Sequence, residues 1–337
     1  PLAPYLDYNE IIKLARRVQA DAIHPGYGFL SENVNFVKAC EREGIRFVGP
    51  KSESMANLGD KIAAKKFADK ANVPTIPGVE IQADKWQEAI EAAERIGFPI
   101  MVKAASGGGG RGMRVVHTKD ELQKTVKEAS AEALSAFGDK TVFLEKFLVH
   151  PRHIEVQILG DHHGNTVHLL ERDCSVQRRF QKVVEIAPAN RLSENAKSRL
   201  HKFALQLAKE VNYVNAGTVE FLVDKEENVY FIEVNPRLQV EHTVTEEITG
   251  VDIVRSQILV AMGYKLHEKP INIPRQEDIR ANGISMQCRI TTENPEDDFR
   301  PDYGTIIAYR SASGFGIRLD AGSAFAGAKI SPFFDSL

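Results

Sequence analysis

The chain has 337 residues, 43% of them hydrophobic and 26% charged, which is the balance of a globular protein large enough for two or three cores. Its 43 Lys plus Arg against 46 Asp plus Glu leave no single-sign field, so nucleic acid and anionic membrane are not expected partners. Cys40, Cys174 and Cys288 lie far apart without C-x-x-C spacing, and no apolar run approaches the ~18–20 residues of a membrane span. These features exclude a disulfide framework and a zinc ribbon. They fit a reducing compartment, the cytoplasm or equally a mitochondrial matrix. The chain starts at Pro1 without Met, shows no signal peptide and stops in SPFFDSL, so it reads as a fragment.

In chain order, Ile11, Ile12, Leu14, Ala15 and Val18 have helical spacing, followed by a short strand at 21–24 and the turn Pro25-Gly26-Tyr27-Gly28. Ser31 is placed to cap a helix running to about Glu43, and 45–48 is a second strand. This order predicts a βα unit of a parallel sheet. A helix is expected over 59–72 and a rigid connector over VPTIPG (73–78). Next come a helix at 85–96, a strand at 99–105, a glycine loop, a strand at 113–117, a helix at 119–137 and a strand at 142–147. From His150 onward short β-rich runs alternate with helices at 194–211 and 252–262. The expected division is a truncated N-terminal α/β domain (1–58), a linker (59–76), a lid (77–147) and a larger mixed α/β part (148–337).

The glycine loop, residues 106–112, formally satisfies G-x-G-x-x-G. A dinucleotide fingerprint must open a helix, whereas MRVVH here reads as a strand. The Walker sequence is absent, and so are the kinase motifs H-R-D and D-F-G. A flexible hairpin that can lay backbone N–H groups on phosphate oxygens remains. Lys103 enters this loop from the apolar run PIMVKAA; it either faces solvent or meets an anion, because an unpaired buried lysine is costly.

Strands 218–223 and 229–234 each hold one glutamate in an apolar setting, Glu220 and Glu233. Side chains alternate faces along a strand, so the two share a face if they pair directly, across an expected six-residue turn. Two carboxylates sharing a face suit Mg²⁺ or Mn²⁺ with nucleotide phosphates, and Asn235 adds an oxygen ligand. Exposed strand-edge glutamates are the plainer alternative. Beyond Pro236, Arg237, Gln239 and Glu241 alternate along an expected extended segment. A guanidinium suits a planar anion, and a nearby carboxylate suits a general base. A surface salt bridge would look the same in isolation.

The strings AIHPGYGFLSEN (22–33), GDK (59–61), KAASGGGGRGM (103–113), LEKFLVHPRHIEVQ (144–157), ERDCSVQRRFQKVVE (171–185), GTVEFL (217–222), FIEVNPRLQVEHTVTEEITG (231–250) and CRI (288–290) occur in this order along the whole chain. Together they resemble the biotin carboxylase component of the biotin-dependent carboxylases, a family of ATP-grasp enzymes. HTVTEEITG, CRITTENP and the GFGIRLDAG…SPFFDSL ending are more similar to the pyruvate carboxylase branch than to acetyl-CoA carboxylases. The family normally opens with another βα unit and continues past residue 337, and it often has His at the position of Phe180.

The resemblance implies an ATP-grasp fold of α/β and α+β type: a truncated parallel-sheet domain, a mobile glycine-loop lid and a larger C-terminal domain. It implies ATP contacts from Lys61, Lys103, Gly108, Gly109, Glu145, Lys146, Leu148, His153, Gln177 and Leu222. Metal ligation would fall to Glu220, Glu233 and Asn235. Bicarbonate would be held by Lys182, Arg237, Gln239 and Val240, with Glu241 as its base. Tyr27 and Arg289 would serve biotin, which is carried on another domain or chain. The implied cofactors are ATP, Mg²⁺ or Mn²⁺ and biotin. The implied partners are bicarbonate, a biotinylated carrier domain, a carboxyltransferase domain and a second copy of the domain. Competing readings are an acetyl-CoA or propionyl-CoA carboxylase subunit, another ATP-grasp ligase, and a silent nucleotide-binding or interaction fragment.

Overall fold

The computed structural model describes residues 3–59, 61–82, 85–104, 114–137, 140–179, 181–320 and 324–330. The glycine loop with Gly108 and Gly109, and Phe180, lie outside the described residues; of Lys61 only the backbone is described.

The first unit comprises α1 (Ala3–Leu6), α2 (Tyr8–Arg17), β1 (Ala22–Ile23), α3 (Val34–Arg42) and β2 (Arg46–Phe47). The Asp7 carboxylate accepts from the amides of Asn9 and Glu10 and so starts α2, whose Ile12 and Ala15 turn inward onto Phe36, Ala39 and Cys40 of α3. β1 and β2 pair in parallel, as a βα unit requires. The cap of α3 is Asn33, whose Oδ1 accepts from the Phe36 amide at 2.9 Å, and not Ser31, which is buried in the preceding turn. The helix expected over 59–72 is α5 (Lys61–Lys70), and a helix that was not expected, α4 (Ser52–Gly59), precedes it.

The chain next enters a four-stranded sheet of order β3-β6-β4-β5, with β3 (Gly78–Gln82), β4 (Ile100–Ala104), β5 (Arg114–Val116) and β6 (Thr141–Lys146). Alanines 89, 92 and 93 of α6 (Trp86–Ile96) and Leu122, Val126 and Ala129 of α7 (Lys119–Phe137) pack on Ile100, Val102, Val142 and Leu144. β3 was not expected: only its first residue, Gly78, fell in the connector placed at 73–78.

The largest sheet has six strands in the order β11-β10-β7-β8-β9-β12, all its pairs antiparallel. Its strands are β7 (Arg152–Gly160), β8 (Thr166–Arg178), β9 (Gln181–Ala187), β10 (Asn215–Val223), β11 (Val229–Asn235) and β12 (Ser285–Cys288), long ladders in place of the short runs expected. Period-two alternation divides β7: Ile154, Val156 and Ile158 enter the core, while His153, Glu155 and Gln157 turn to the other face. The core face is covered by α8 (Glu194–Glu210), whose Ala196, Leu200, Ala204, Leu207 and Ala208 recur at three- and four-residue spacing. Ser193 caps α8 by accepting from the Ala196 amide. A second core holds Leu159, Leu169 and Ala216 with Ile253 and Val260 of α10 (Ile253–Ala261).

Between these helices lies α9 (His242–Thr249), for which no helix was expected. Glu241 stands at its N-cap position, so the 237–241 segment ends in a turn and not in a strand. No helix among the described residues is long and apolar enough to cross a membrane.

Tyr213 is buried where two strands come close, its hydroxyl donating to the Ala216 carbonyl at 2.9 Å. A Cβ at Gly160 would stand 2.2 Å from the Tyr213 carbonyl oxygen, and one at Gly217 would stand 2.3 Å from its hydroxyl. The obstacle at Gly160 is backbone and cannot rotate away. Gly160→Ala is therefore expected to destabilise the fold by ~1–3 kcal/mol, the usual cost of overpacking, as a fall in denaturant midpoint at unchanged m-value.

Candidate active site

Glu220 and Glu233 pair directly across β10 and β11. The connection is five residues, 224–228, and an irregularity between Glu220 and Phe221 supplies the sixth, so the shorter turn keeps both glutamates in register. Glu220 is nearly fully buried and is held by four groups. Lys182 Nζ and Asn235 Nδ2 each reach Oε1 at 2.8 Å, Gln239 Nε2 donates to Oε1 at 3.0 Å, and His153 Nε2 meets Oε2 at 2.6 Å. Leu222, two residues on, lies across from His153 in the β10–β7 ladder, and Gln177 Nε2 bonds His153 Nδ1 at 3.0 Å.

Lys182 is the centre of this cluster. Its Nζ contacts Glu155 Oε2 at 2.5 Å, Glu220 Oε1 at 2.8 Å and Glu241 Oε1 at 2.8 Å. Beneath it Arg172 is fully buried: Nε donates to Glu155 Oε1, NH1 to Gln157 and Thr245, and NH2 to Thr218 and Gln239 Oε1. That bond to Gln239 Oε1 fixes the amide so that its NH₂ faces Glu220. Arg289, just past β12, donates from Nε to Glu185 Oε1 at 2.7 Å and from NH2 to Glu241 Oε2 at 2.8 Å. Glu155, Glu185, Glu220 and Glu241 thus share three permanent cations, Arg172, Lys182 and Arg289, with His153 as a fourth when protonated.

Burial alone would push Glu155, Glu185 and Glu220 toward the neutral form. For Glu155 the charges of Arg172 and Lys182 outweigh burial and hold its pKa below the usual value. For Glu220 burial is again opposed, by the His153 hydrogen bond first and then by Lys182, and the carboxyl is held well below the usual range. Burial works to lower the pKa of His153, but the hydrogen bond and charge of Glu220 win and raise it. Lys182 is raised well above an ordinary lysine, because its three carboxylates overcome desolvation.

Arg237 lies at the edge of this cluster. Its Nε pairs with Glu32 at 2.6 Å, tying the turn of the first unit to the site, and NH2 reaches Asn235 Oδ1 at 3.2 Å. Val240 is half-buried between Gln239 and Glu241. A second cluster lies on the four-stranded sheet, where Glu145 accepts from Lys103 at 2.7 Å and Lys65 at 3.0 Å, with both ammonium groups over the Phe143 ring. The anion that Lys103 required is thus Glu145. Lys146 turns its Nζ to the carbonyls of Gly97 and Phe98, and Leu148 is half-buried just after β6. Tyr27 is half-exposed and shares no hydrogen bond with the Lys182 cluster. Among charged groups outside these clusters, Arg178 clamps Glu293 and stacks on Phe299, Arg179 pairs with Asp298, and His163 Nε2 meets the Gly263 carbonyl.

Glu155, Arg172 and Glu185 were not picked out from the sequence. Their signal is a charge at an inward position of a strand whose neighbours are core residues: Ile154 and Val156 around Glu155, Leu169 and Cys174 near Arg172.

The sequence family described as "Carbamoyl-phosphate synthase L chain, ATP binding domain" matches residues 60–269. "Biotin carboxylase, N-terminal domain" matches 1–55, and "Biotin carboxylase C-terminal domain" matches 287–337. Among solved structures, the biotin carboxylase domain dimer of the Hydrogenobacter thermophilus 2-oxoglutarate carboxylase, in complex with MgADP, ADP and bicarbonate, is 47% identical. It superposes with a TM-score of 0.86 over 100% of this chain and 73% of that one. The chain belongs to the biotin carboxylase family. Its fold is accordingly the ATP-grasp arrangement of this family, with the Lys182 cluster on the six-stranded sheet of the body. Among curated relatives of this biotin carboxylase chain, the pyruvate carboxylase of Bacillus subtilis is 55% identical and the mitochondrial pyruvate carboxylase of Mus musculus 56% identical, each over the whole chain. The chain spans 29% and 28% of their respective lengths.

Replacing Lys182 by Met leaves Glu155, Glu220 and Glu241 without their shared cation, and breaking a buried pair in this way costs ~3–5 kcal/mol. Glu155 and Glu220 have depressed pKa values, so the stability they contribute is present above the unfolded glutamate value (~4.3) and is lost as pH falls through the folded values. Without Lys182 these folded values rise. The deficit of Lys182→Met is expected to be largest near pH ~8 and to narrow toward pH ~5, measured by denaturant unfolding at the two pH values.

Proposed function

We propose that this chain carries out ATP-dependent carboxylation of biotin with bicarbonate. The observation that supports this most directly is Glu241, whose two oxygens are held by different fixed cations, Lys182 on Oε1 and Arg289 on Oε2. A carboxylate so placed can accept a proton from an anion that Lys182 attracts. Bicarbonate would lie against Lys182, Arg237, Gln239 and the Val240 backbone, and Glu241 would take its proton. The carbonate oxygen then attacks the γ-phosphorus of ATP, ADP leaves, and carboxyphosphate forms. Its decomposition gives CO₂ and phosphate, the phosphate removes the proton from biotin N1, and that nitrogen bonds to CO₂. Negative charge on the ureido oxygen develops next to Arg289.

Nucleotide would be held by Lys103, the backbone at Glu145–Leu148, and His153, Gln177 and Leu222, with Lys61, Gly108 and Gly109 as further contacts. A divalent metal fits the hard-oxygen set of Glu220, Glu233 and Asn235, since Mg²⁺ takes one or two carboxylates and completes its shell with phosphate oxygens. When bound there by Glu220, Glu233 and Asn235, the metal would supply positive charge against the negative charge that develops on the phosphates. Tyr27 would meet biotin at the rim.

In the whole protein, the carboxyl group would pass to pyruvate to give oxaloacetate, on carboxyltransferase and biotin-carrier domains outside this chain. The 55–56% identity to pyruvate carboxylases favours this acceptor over an acyl-CoA. Pairing of two copies follows the dimer of the Hydrogenobacter domain. The compartment would be the bacterial cytoplasm or, in a eukaryote, the mitochondrial matrix.

Glu241→Gln is expected to keep ATP binding and to lower bicarbonate-dependent ATP cleavage by ~10²–10⁴-fold, and turnover near the native rate would refute its role as base. Arg289→Ala should separate the half-reactions, with biotin carboxylation falling ~10²–10³-fold and ATP cleavage without biotin falling far less. Arg289→Lys should recover little, because an ammonium cannot reproduce the guanidinium fork. Parallel assays of ATP cleavage and carboxybiotin decide both.

A further inference from the structure

Glu185 is a fully buried carboxylate with only half of its hydrogen-bonding capacity used. It lies on β9 opposite Gln287 of β12, and its Oε1 receives both Nε and NH2 of Arg289, each at 2.7 Å. Its Oε2 has no partner among the described residues. The same Arg289 NH2 also reaches Glu241 Oε2, so one guanidinium edge is divided between two carboxylates on different elements. The NH1 group of Arg289 makes no hydrogen bond among the described residues, which leaves the opposite edge of the fork free.

We propose that Glu185 is a positioning residue for Arg289, occupying its Nε–NH2 edge so that the NH1 edge is presented to the ureido oxygen of biotin. This rests on the biotin-carboxylating reading above. A guanidinium is planar, so fixing one edge fixes where the other donors point. Without Glu185, Arg289 has only Glu241 to hold it, and the same cation would be drawn onto the base. The charged and titratable groups that face Glu185 are Arg289, Glu241 at the start of α9 and Glu155 on β7. Burial raises the pKa of Glu185, and Arg289 only partly opposes it, whereas Glu155 and Glu220 are lowered. Of these three carboxylates, Glu185 is the one that a fall in pH neutralises first. Its protonation removes the ion pair, so biotin carboxylation should lose rate on the acid side through this group.

The test uses Glu185→Gln, which keeps the size of the side chain and one acceptor oxygen while removing the charge. Expected are a fall of ~10²-fold in kcat/KM for free biotin, a much smaller change in bicarbonate-dependent ATP cleavage without biotin, and disappearance of the acid limb that the native chain shows toward biotin. Glu185→Asp, which keeps the charge, should retain that limb and recover part of the rate. Equal losses in both activities, native biotin kinetics, or an unchanged acid limb would overturn the inference. A second readout needs no substrate. The infrared band of a protonated carboxyl should titrate above the ordinary glutamate range in the native chain, vanish in Glu185→Gln, and persist to higher pH in Arg289→Met. A band indifferent to Arg289 removes the pair even if the chain carboxylates biotin. If the band behaves as expected but the native chain never carboxylates biotin, the functional reading is what fails, and the biotin assignment of the NH1 edge fails with it.

Discussion

Four carboxylates cannot be buried together in a protein unless cations are buried with them, and the body of this chain is arranged around that requirement. Arg172 and Lys182 meet on Glu155, one on each oxygen, and from there the network runs through Glu220 and Glu241 to Arg289 and Glu185. The residues come from five different strands or their ends and from the cap of a helix. The pairing order of the six-stranded sheet is therefore what brings the charges into balance. The opposite face of β7 and β10 is apolar against α8, with Ile154, Val156, Val219 and Phe221 in the core, which leaves the polar face no freedom to shift register: a slip of one residue would put Ile154 and Val156 among charges and Glu155 in the core.

The balance also explains why the two lysines singled out in sequence behave differently. Lys103 has one carboxylate, shared with Lys65, and remains about a third exposed, so solvent still meets part of its charge. Lys182 is held by three carboxylates in a nearly dry site. One is a surface-accessible cation on a movable pairing, the other a fixed part of the fold's electrostatics.

Helices with strong periodicity were legible to within a residue or two, α7 and α8 in particular, whereas the direct pairing of Glu220 with Glu233 was one of several registers that the sequence left open. Helix α9 was not. HTVTEEIT is rich in β-branched residues with weak helix propensity, and it becomes helical because His242, Thr243, Val244, Thr245 and Ile248 are buried by neighbours remote in sequence. Asn33 and Ser31 are equally good caps on paper, and only the turn closed by the Ser31 amide on the Gly28 carbonyl decides between them. Glu220, Gln239, Glu241, Lys182 and Arg289 could be named from family strings, but Glu155, Arg172 and Glu185 required knowing which strand face turns inward. On β8 and β9 that depends on two register shifts between Asp173 and Gln177, which let Lys182 and Glu185 reach one cluster although they stand three positions apart.

Tyr213 and its two glycines set different rules for how the sequence can drift. At Gly217 the obstruction is the tyrosine ring, so a side chain there becomes tolerable once residue 213 shrinks; the two positions are coupled and exchange as a pair. At Gly160 the obstruction is a carbonyl oxygen that every residue at 213 would carry. No partner substitution can open that space. Of two glycines touching one tyrosine, one can be traded through compensation, and the other is invariant for as long as the strands keep their spacing.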